Sequence, residues 1–178
     1  MEQHARTGSS LVLVILAWLI AGCTFLPSSR TAIFDEAEYA PYAGEGPSSI
    51  SGEAYITRTT DSVLVKCVGC AVFLTPATHY STEWFERHVI DGQKLTQGDP
   101  RSYKYRRETT GTSEGRFAFD RLPAGDYYIA CYTTWQVPGK PGKTTGAWAY
   151  SKGKVHLEAG EHKKVTLTNW HTSSVLAP

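Results

Sequence analysis

The chain has 178 residues, a formal net charge of +1 and a pI near 7.7, so no strong field exists to recruit nucleic acid or acidic lipid across the whole surface. Aromatic residues make up 12% of the chain against a single Met, and Gly, Thr, Tyr, Trp and Val outweigh the strong helix formers. That balance argues against a helical bundle and for strands and turns. At the amino end His4 and Arg6 precede an uninterrupted apolar run, Leu11 to Ile20. The run is shorter than the roughly 20 apolar residues a membrane-spanning helix needs and has the size of a secretory signal h-region.

This run closes on Ile20-Ala21-Gly22-Cys23, which resembles the lipobox of bacterial lipoproteins. The resemblance implies cleavage before Cys23 and lipid on Cys23 as the membrane anchor, with two or more acyl chains making the attachment stable. Thr24 stands where an inner-membrane retention signal often carries Asp, which by the same resemblance implies the outer membrane, with the domain facing the periplasm or the cell surface. Residues 1–22 are then a signal peptide. Residues 23–49, rich in Pro, Gly, Ser and Glu, read as a flexible tether, because such a segment buries too little surface to offset its chain entropy. Phe34, Tyr39 and Tyr42 are its candidates for docking.

From residue 50 to 170 short strand-like runs follow one another between turns: ISGEAYITR, SVLVKC, CAVFLTP, SYKYRRE, GRFAFD, DYYIACYTTW, GAWAYSKG, KVHLEAG and KKVTLT. Alternation is clearest at Phe117 and Phe119 and at Val165 and Leu167. The expectation is an all-β antiparallel sandwich of about seven to nine strands, followed by a short tail, 171–178. One segment departs from the strand pattern: STEWFERHV after Pro76 reads as a short helix, with Trp84, Phe85, His88 and Val89 on one face against the sandwich edge.

Gly115-Arg116-Phe117-Ala118-Phe119, followed by Leu122-Pro123-Ala124-Gly125-Asp126-Tyr127-Tyr128, resembles the carboxypeptidase regulatory-like, or transthyretin-like, β-sandwich family. Pro123 fixes φ and Gly125 accepts a positive φ, so the chain can reverse there between neighbouring strands. Upstream, Gly52-Glu53-Ala54 and Val72 to Pro76 resemble the opening strands, and 157–161 with 165–167 a closing hairpin. Hydroxyisourate hydrolases share that fold, but the carboxyl end SSVLAP lacks their Tyr-Arg-Gly-Ser signature. The lipoprotein of the type VI secretion apparatus is also transthyretin-like, though its own motifs are not recognisable.

With Cys23 assigned to lipid, Cys67, Cys70 and Cys131 remain, and an exported chain oxidises a pair of them. Strand parity puts Cys70 and Cys131 on inward faces and favours that pair, while Cys67 stands as a competitor for Cys131 or as the closer of the Cys67-Val68-Gly69-Cys70 loop. The same Cys-x-x-Cys spacing in a redox enzyme adjoins a helix N-terminus, whereas its flanks here are strands. Histidines 79, 88, 156, 162 and 171 form no close pair of metal-ligand spacing, so neither a metal nor a cofactor is expected. No nucleophile or phosphate-loop signature is found, and an enzyme is not the expected reading.

Two binding surfaces are candidates. In Arg101 to Arg107 alternation puts Tyr103 and Tyr105 on one face, with Lys104, Arg106 and Arg107 supplying a basic side. Trp135 and Trp148 with Tyr132 and Tyr150 are candidates for an aromatic platform. Core packing and a solvated strand face are the plainer readings of both. The expected function is a membrane-anchored, non-catalytic envelope module for protein–protein contacts in an envelope assembly, with a carbohydrate- or peptidoglycan-binding module as the alternative.

Overall fold

The apolar alternation is realised as strands in a computed structural model that describes residues 26–138 and 141–169. In chain order the described elements are α1 (Glu36–Tyr39), a 3-10 turn (Ala40–Tyr42), β1 (Ser48–Thr57), β2 (Leu64–Lys66), β3 (Ala71–Pro76) and α2 (His79–Trp84), which runs on as a π-helical stretch (Phe85–Ile90). A 3-10 helix (Pro100–Tyr105) then leads into β4 (Arg107–Thr110), β5 (Arg116–Leu122), β6 (Gly125–Pro138), β7 (Thr144–Leu157) and β8 (His162–Leu167). One sheet is built around β1, paired with β2, β5 and β8; the other runs β4-β3-β6-β7. The fold is the expected all-β sandwich, with eight strands among the described residues and the short helix after the third strand.

Its core lies between the two inner faces. Ile50 and Ala54 of β1, Phe117, Phe119 and Leu122 of β5 and Leu167 of β8 meet Val72 and Leu74 of β3, Ile129 of β6 and Val155 and Leu157 of β7. These positions follow the two-residue period that a sheet buried on one face requires, except between Phe119 and Leu122 of β5, where Arg121 takes φ 55° and the register to β1 shifts. The β5–β6 reversal follows the sequence reading: Gly125 has φ 145°, and the Tyr127 hydroxyl donates to the Pro123 carbonyl at 2.8 Å, closing the corner.

Four expectations are corrected. The sandwich is not wholly antiparallel, because β8 pairs with β1 in parallel, Gly52 opposite Val165. A Cβ at Gly52 would strike the Val165 carbonyl oxygen, so glycine there lets the two backbones approach. The implied closing hairpin therefore gives way to a crossing between sheets. The runs 146–153 and 154–160 are one strand, β7, paired with β6 from Gly125↔Leu157 to Pro138↔Thr144. Finally, residues 101–105 are not a strand: Asp99 accepts from the Arg101 amide at 2.9 Å as an N-cap and Pro100 opens a 3-10 helix.

The fourth correction concerns the tether, much of which is packed. Asp35 caps α1, and Phe34 and Tyr39 are buried with Tyr80 and Tyr105 in a second apolar cluster. Tyr42 lies against Tyr127 with ring centroids 5.2 Å apart, on the space that Gly125 leaves open. Three large rings bury enough apolar area to hold a segment whose other residues are polar. Cys23 and the proposed signal peptide lie outside the described residues, as does the tail 171–178.

Candidate functional site

The platform is set by the register of β6 and β7. Tyr132 pairs with Tyr150 and Thr134 with Trp148, so Tyr132, Trp148 and Tyr150 share the outer face of the second sheet. Tyr132 and Trp148 have centroids 5.3 Å apart and planes tilted by 32°, and Tyr150 meets both edge-on at 5.4 and 6.1 Å. Trp148 is 55% and Tyr132 38% exposed, which leaves a ledge of ring faces open to solvent. Trp135 does not join it. It lies an odd number of residues from Tyr132 and so takes the opposite side of the strand, the side of Cys131 and Thr133.

Next to the ledge lies α2. Phe85 stacks on Tyr128 at 4.1 Å and 15°, and the Thr82 hydroxyl is 2.9 Å from the Tyr128 hydroxyl. Phe85 and Val89 face the sheet, while Trp84 and His88, four residues apart, stack on each other at 6.0 Å. His88 then extends the ledge, 5.9 Å edge-on from Tyr150. Its Nδ1 is 2.8 Å from the Gln93 carbonyl, which can only accept, so Nδ1 carries a proton, and Nε2 lies 3.3 Å from the Tyr150 hydroxyl. Burial, then the neighbouring Tyr132, pushes the Tyr150 phenol up, so Tyr150 remains a donor.

Glu83 ties α2 to the segment that precedes α1. Its carboxylate accepts from Thr31 N at 2.7 Å, Thr31 Oγ1 at 2.8 Å, Ala32 N at 3.2 Å and Arg87 at 2.7 Å, and pairs with Arg30 at 3.5 Å. Burial raises its pKa, but the bonds from Thr31, Ala32 and Arg87 outweigh that and hold it near 2 against an ordinary 4.5.

Beyond His88 a cavity of about 270 Å³ opens, lined by Arg30, Trp84, Gln97, Tyr103 and Arg106 among others. The expected basic side is dispersed by the 3-10 helix. Lys104 pairs with Glu36, and Arg107 donates to the Gly44 carbonyl at 3.2 Å. Only Arg106 of the three lines the cavity. The tyrosines also separate, Tyr103 exposed and Tyr105 buried. Of the residues around the ledge, sequence alternation reaches Tyr132, Trp148 and Tyr150, and the helical face reaches Trp84 and His88. Gln97 and Lys152 went unread, although Lys152 stands two residues after Tyr150 and so shares its face.

The three cysteines converge between the sheets, their sulfurs all within 4.8 Å of one another. Cys67 Sγ is in disulfide contact with Cys131 and also with Cys70, and the Cys70 and Cys131 sulfurs are 2.6 Å apart. One sulfur forms one disulfide, so three thiols make one bond and leave one free. In its reduced form the triad is the group among the described residues with the donors a soft metal ion takes.

No protein-family model matches the chain, and no curated protein matches it. Among solved structures it is similar to a Pseudomonas aeruginosa protein, PA1324, to which carbohydrate binding is provisionally assigned: 31% identity, TM-score 0.66, covering 78% of this chain and 99% of that one. It also matches the major pilin subunit of Bacillus cereus, at 13% identity and TM-score 0.40 over 70% of this chain and 30% of that one. The minor pilin of Streptococcus agalactiae follows at 13% and 0.35, covering 76% and 49%. Neither pilin match is close enough to carry an argument.

Proposed function

The chain belongs to the family of the Pseudomonas aeruginosa protein PA1324, and from that premise we propose that it is a non-catalytic carbohydrate-binding β-sandwich, tethered to the cell envelope through lipid on Cys23. The observation that carries the reading is the solvent-facing ledge of Tyr132 and Trp148, braced edge-on by the half-buried Tyr150. Ring faces held at fixed tilt on a paired strand give a flat, rigid apolar surface onto which the C–H faces of pyranose rings can stack at little entropic cost. His88 and the polar cavity beyond it, with Gln97 and Ser102 in its lining, offer hydroxyl partners at one end of that surface. A glycan array or a peptidoglycan pull-down should give a signal, and Trp148→Ala should weaken it at least tenfold, about 1.4 kcal/mol. A single cross-linked envelope protein with no glycan signal would overturn the reading.

The anchor rests on the lipobox-like stretch. Cys23→Ala should move the protein from the membrane to the soluble fraction, and unchanged retention would remove the anchor from the proposal.

A second reading, contact with another envelope protein, is favoured by a different observation. Val63, Leu64 and Val68 stand exposed around β2, a short strand whose recorded pairing is with β1 alone. Apolar residues on an unprotected strand edge are the usual substrate for strand addition by a partner.

A further inference from the structure

Positive side chains stand around the proposed sugar site, and the carboxylates on the same sheet face, Asp126 and Glu158, are taken up by His156 at 3.1 and 3.0 Å. Lys152 shares the outer face of β7 with Tyr150 and stands opposite Ala130. It is half-buried, makes no ion pair among the described residues, and burial pushes its pKa down. Lys154, two residues on, sits 5.8 Å from the Tyr128 ring centroid. Arg106 reaches the cavity from the other side, its guanidinium held over Phe73 at 4.6 Å and beside Tyr103 at 5.5 Å. Among the described residues its carboxylate partner is Glu108, 4.0 Å away and exposed.

Among the described residues no Asp or Glu lines the cavity. The acids near it are occupied elsewhere: Glu83 by Arg30 and Arg87, Asp99 by Arg101, Glu36 by Lys104. Arg30, the second guanidinium in the lining, is committed to Glu83 and to the Tyr80 carbonyl at 2.8 Å. Arg106 is therefore the cation with donors to spare, and a guanidinium fixed between two rings presents a planar fork matched to a carboxylate.

We propose that the site selects acidic glycans of the uronate class, with sugar rings on Trp148 and Tyr132 and a ring carboxylate received in the cavity by Arg106. The inference rests on the carbohydrate reading and adds the charge of the ligand. Lys152 and Lys154 continue the outer face of β7 beyond Tyr150, so that a further carboxylate of the same polymer meets positive charge there.

The test is calorimetric titration of the full-length protein in detergent with galacturonate, glucuronate, mannuronate and guluronate oligomers, each set against its carboxyl-reduced counterpart of the same linkage. At least one acidic member should bind tenfold or more tighter than its neutral partner, by a margin that shrinks as salt rises. Arg106→Gln should abolish the margin while leaving circular dichroism and the thermal midpoint in place, and Arg106→Lys should restore part of it. Equal affinity within every pair would overturn the inference and leave the carbohydrate reading standing. Sulfated sugars bound in preference to uronates would overturn the carboxylate assignment. No binding of any sugar would overturn both.

Discussion

On the inner face of the β6–β7 hairpin Ile129, Cys131, Val155 and Leu157 are buried to 4% exposure or less; on the opposite face of the same two strands, Tyr132 and Trp148 stand open to water. Both faces obey one two-residue period, and both are rich in large apolar groups. The inner face is filled because a second sheet covers it. Among the described residues the outer face of these two strands is covered where α2 and its π-helical continuation lie over Tyr128 and Ala130 and against Tyr150, and beyond that cover Tyr132 and Trp148 have no burial to explain them. Composition is thus a poor guide to what a strand face does, and coverage is the better one.

The sharpest way to break this contrast is through the inner face. A disulfide from Cys131 back to Cys67 closes a loop of 64 residues, which on the loop-entropy scale is worth about 4 kcal/mol. Cys131→Ser should therefore lower unfolding free energy by roughly that amount in urea melts without reductant, and reductant should bring the wild type down to the variant. A near-neutral Cys131→Ser would show instead that oxidation closes only the short Cys67–Cys70 loop. Peptide mapping of the non-reduced protein should find Cys131 in the bridge.

A smaller effect probes the cover of the outer face. Glu83 holds α2 to Thr31 and Ala32, and its folded pKa, near 2, lies below its ordinary 4.5. A carboxylate depressed in the folded state contributes stability that is fully present above pH 4.5 and is lost as pH falls through 4.5 toward 2. The contribution is at most about 3 kcal/mol. Glu83→Gln should accordingly cost most near pH 6, and its deficit against the wild type should close as melts are taken below pH 4. A deficit independent of pH would mean that Glu83 acts by packing alone.

The sequence carries the inner face well and the outer face in part. Phe117 and Phe119, Val72 and Leu74, and the Pro123–Gly125 reversal are local statements about parity and φ, and they hold as read. The parity that put Cys70 and Cys131 on a common inward face also holds, but it could not see that Cys67, at the turn before β3, is drawn fully into the core by its amide bond to the Ala54 carbonyl. What failed was information carried by contacts far apart in the chain. Tyr39 and Tyr42 become core only because Tyr105 and Gly125 receive them. Lys104 and Arg106 would share a basic side only if 101–105 were extended, and a single capping Asp99 before Pro100 decides otherwise.

The smallest expected effect on stability is the most telling one for function. Trp148→Ala removes the most exposed of the three ledge rings, and since a surface ring contributes little burial, the unfolding free energy should change by no more than about 0.5 kcal/mol. The same substitution is expected to cost at least tenfold in glycan affinity, so affinity and stability should separate cleanly at this position. At Leu157, on the inner face, they should not: truncation to Ala belongs to the class of buried large-to-small changes that cost about 2–5 kcal/mol. If Trp148→Ala destabilised the fold to that extent, the ledge would be core by another name, sealed by a surface that the sandwich itself supplies, and the argument from an uncovered aromatic face would fall with it.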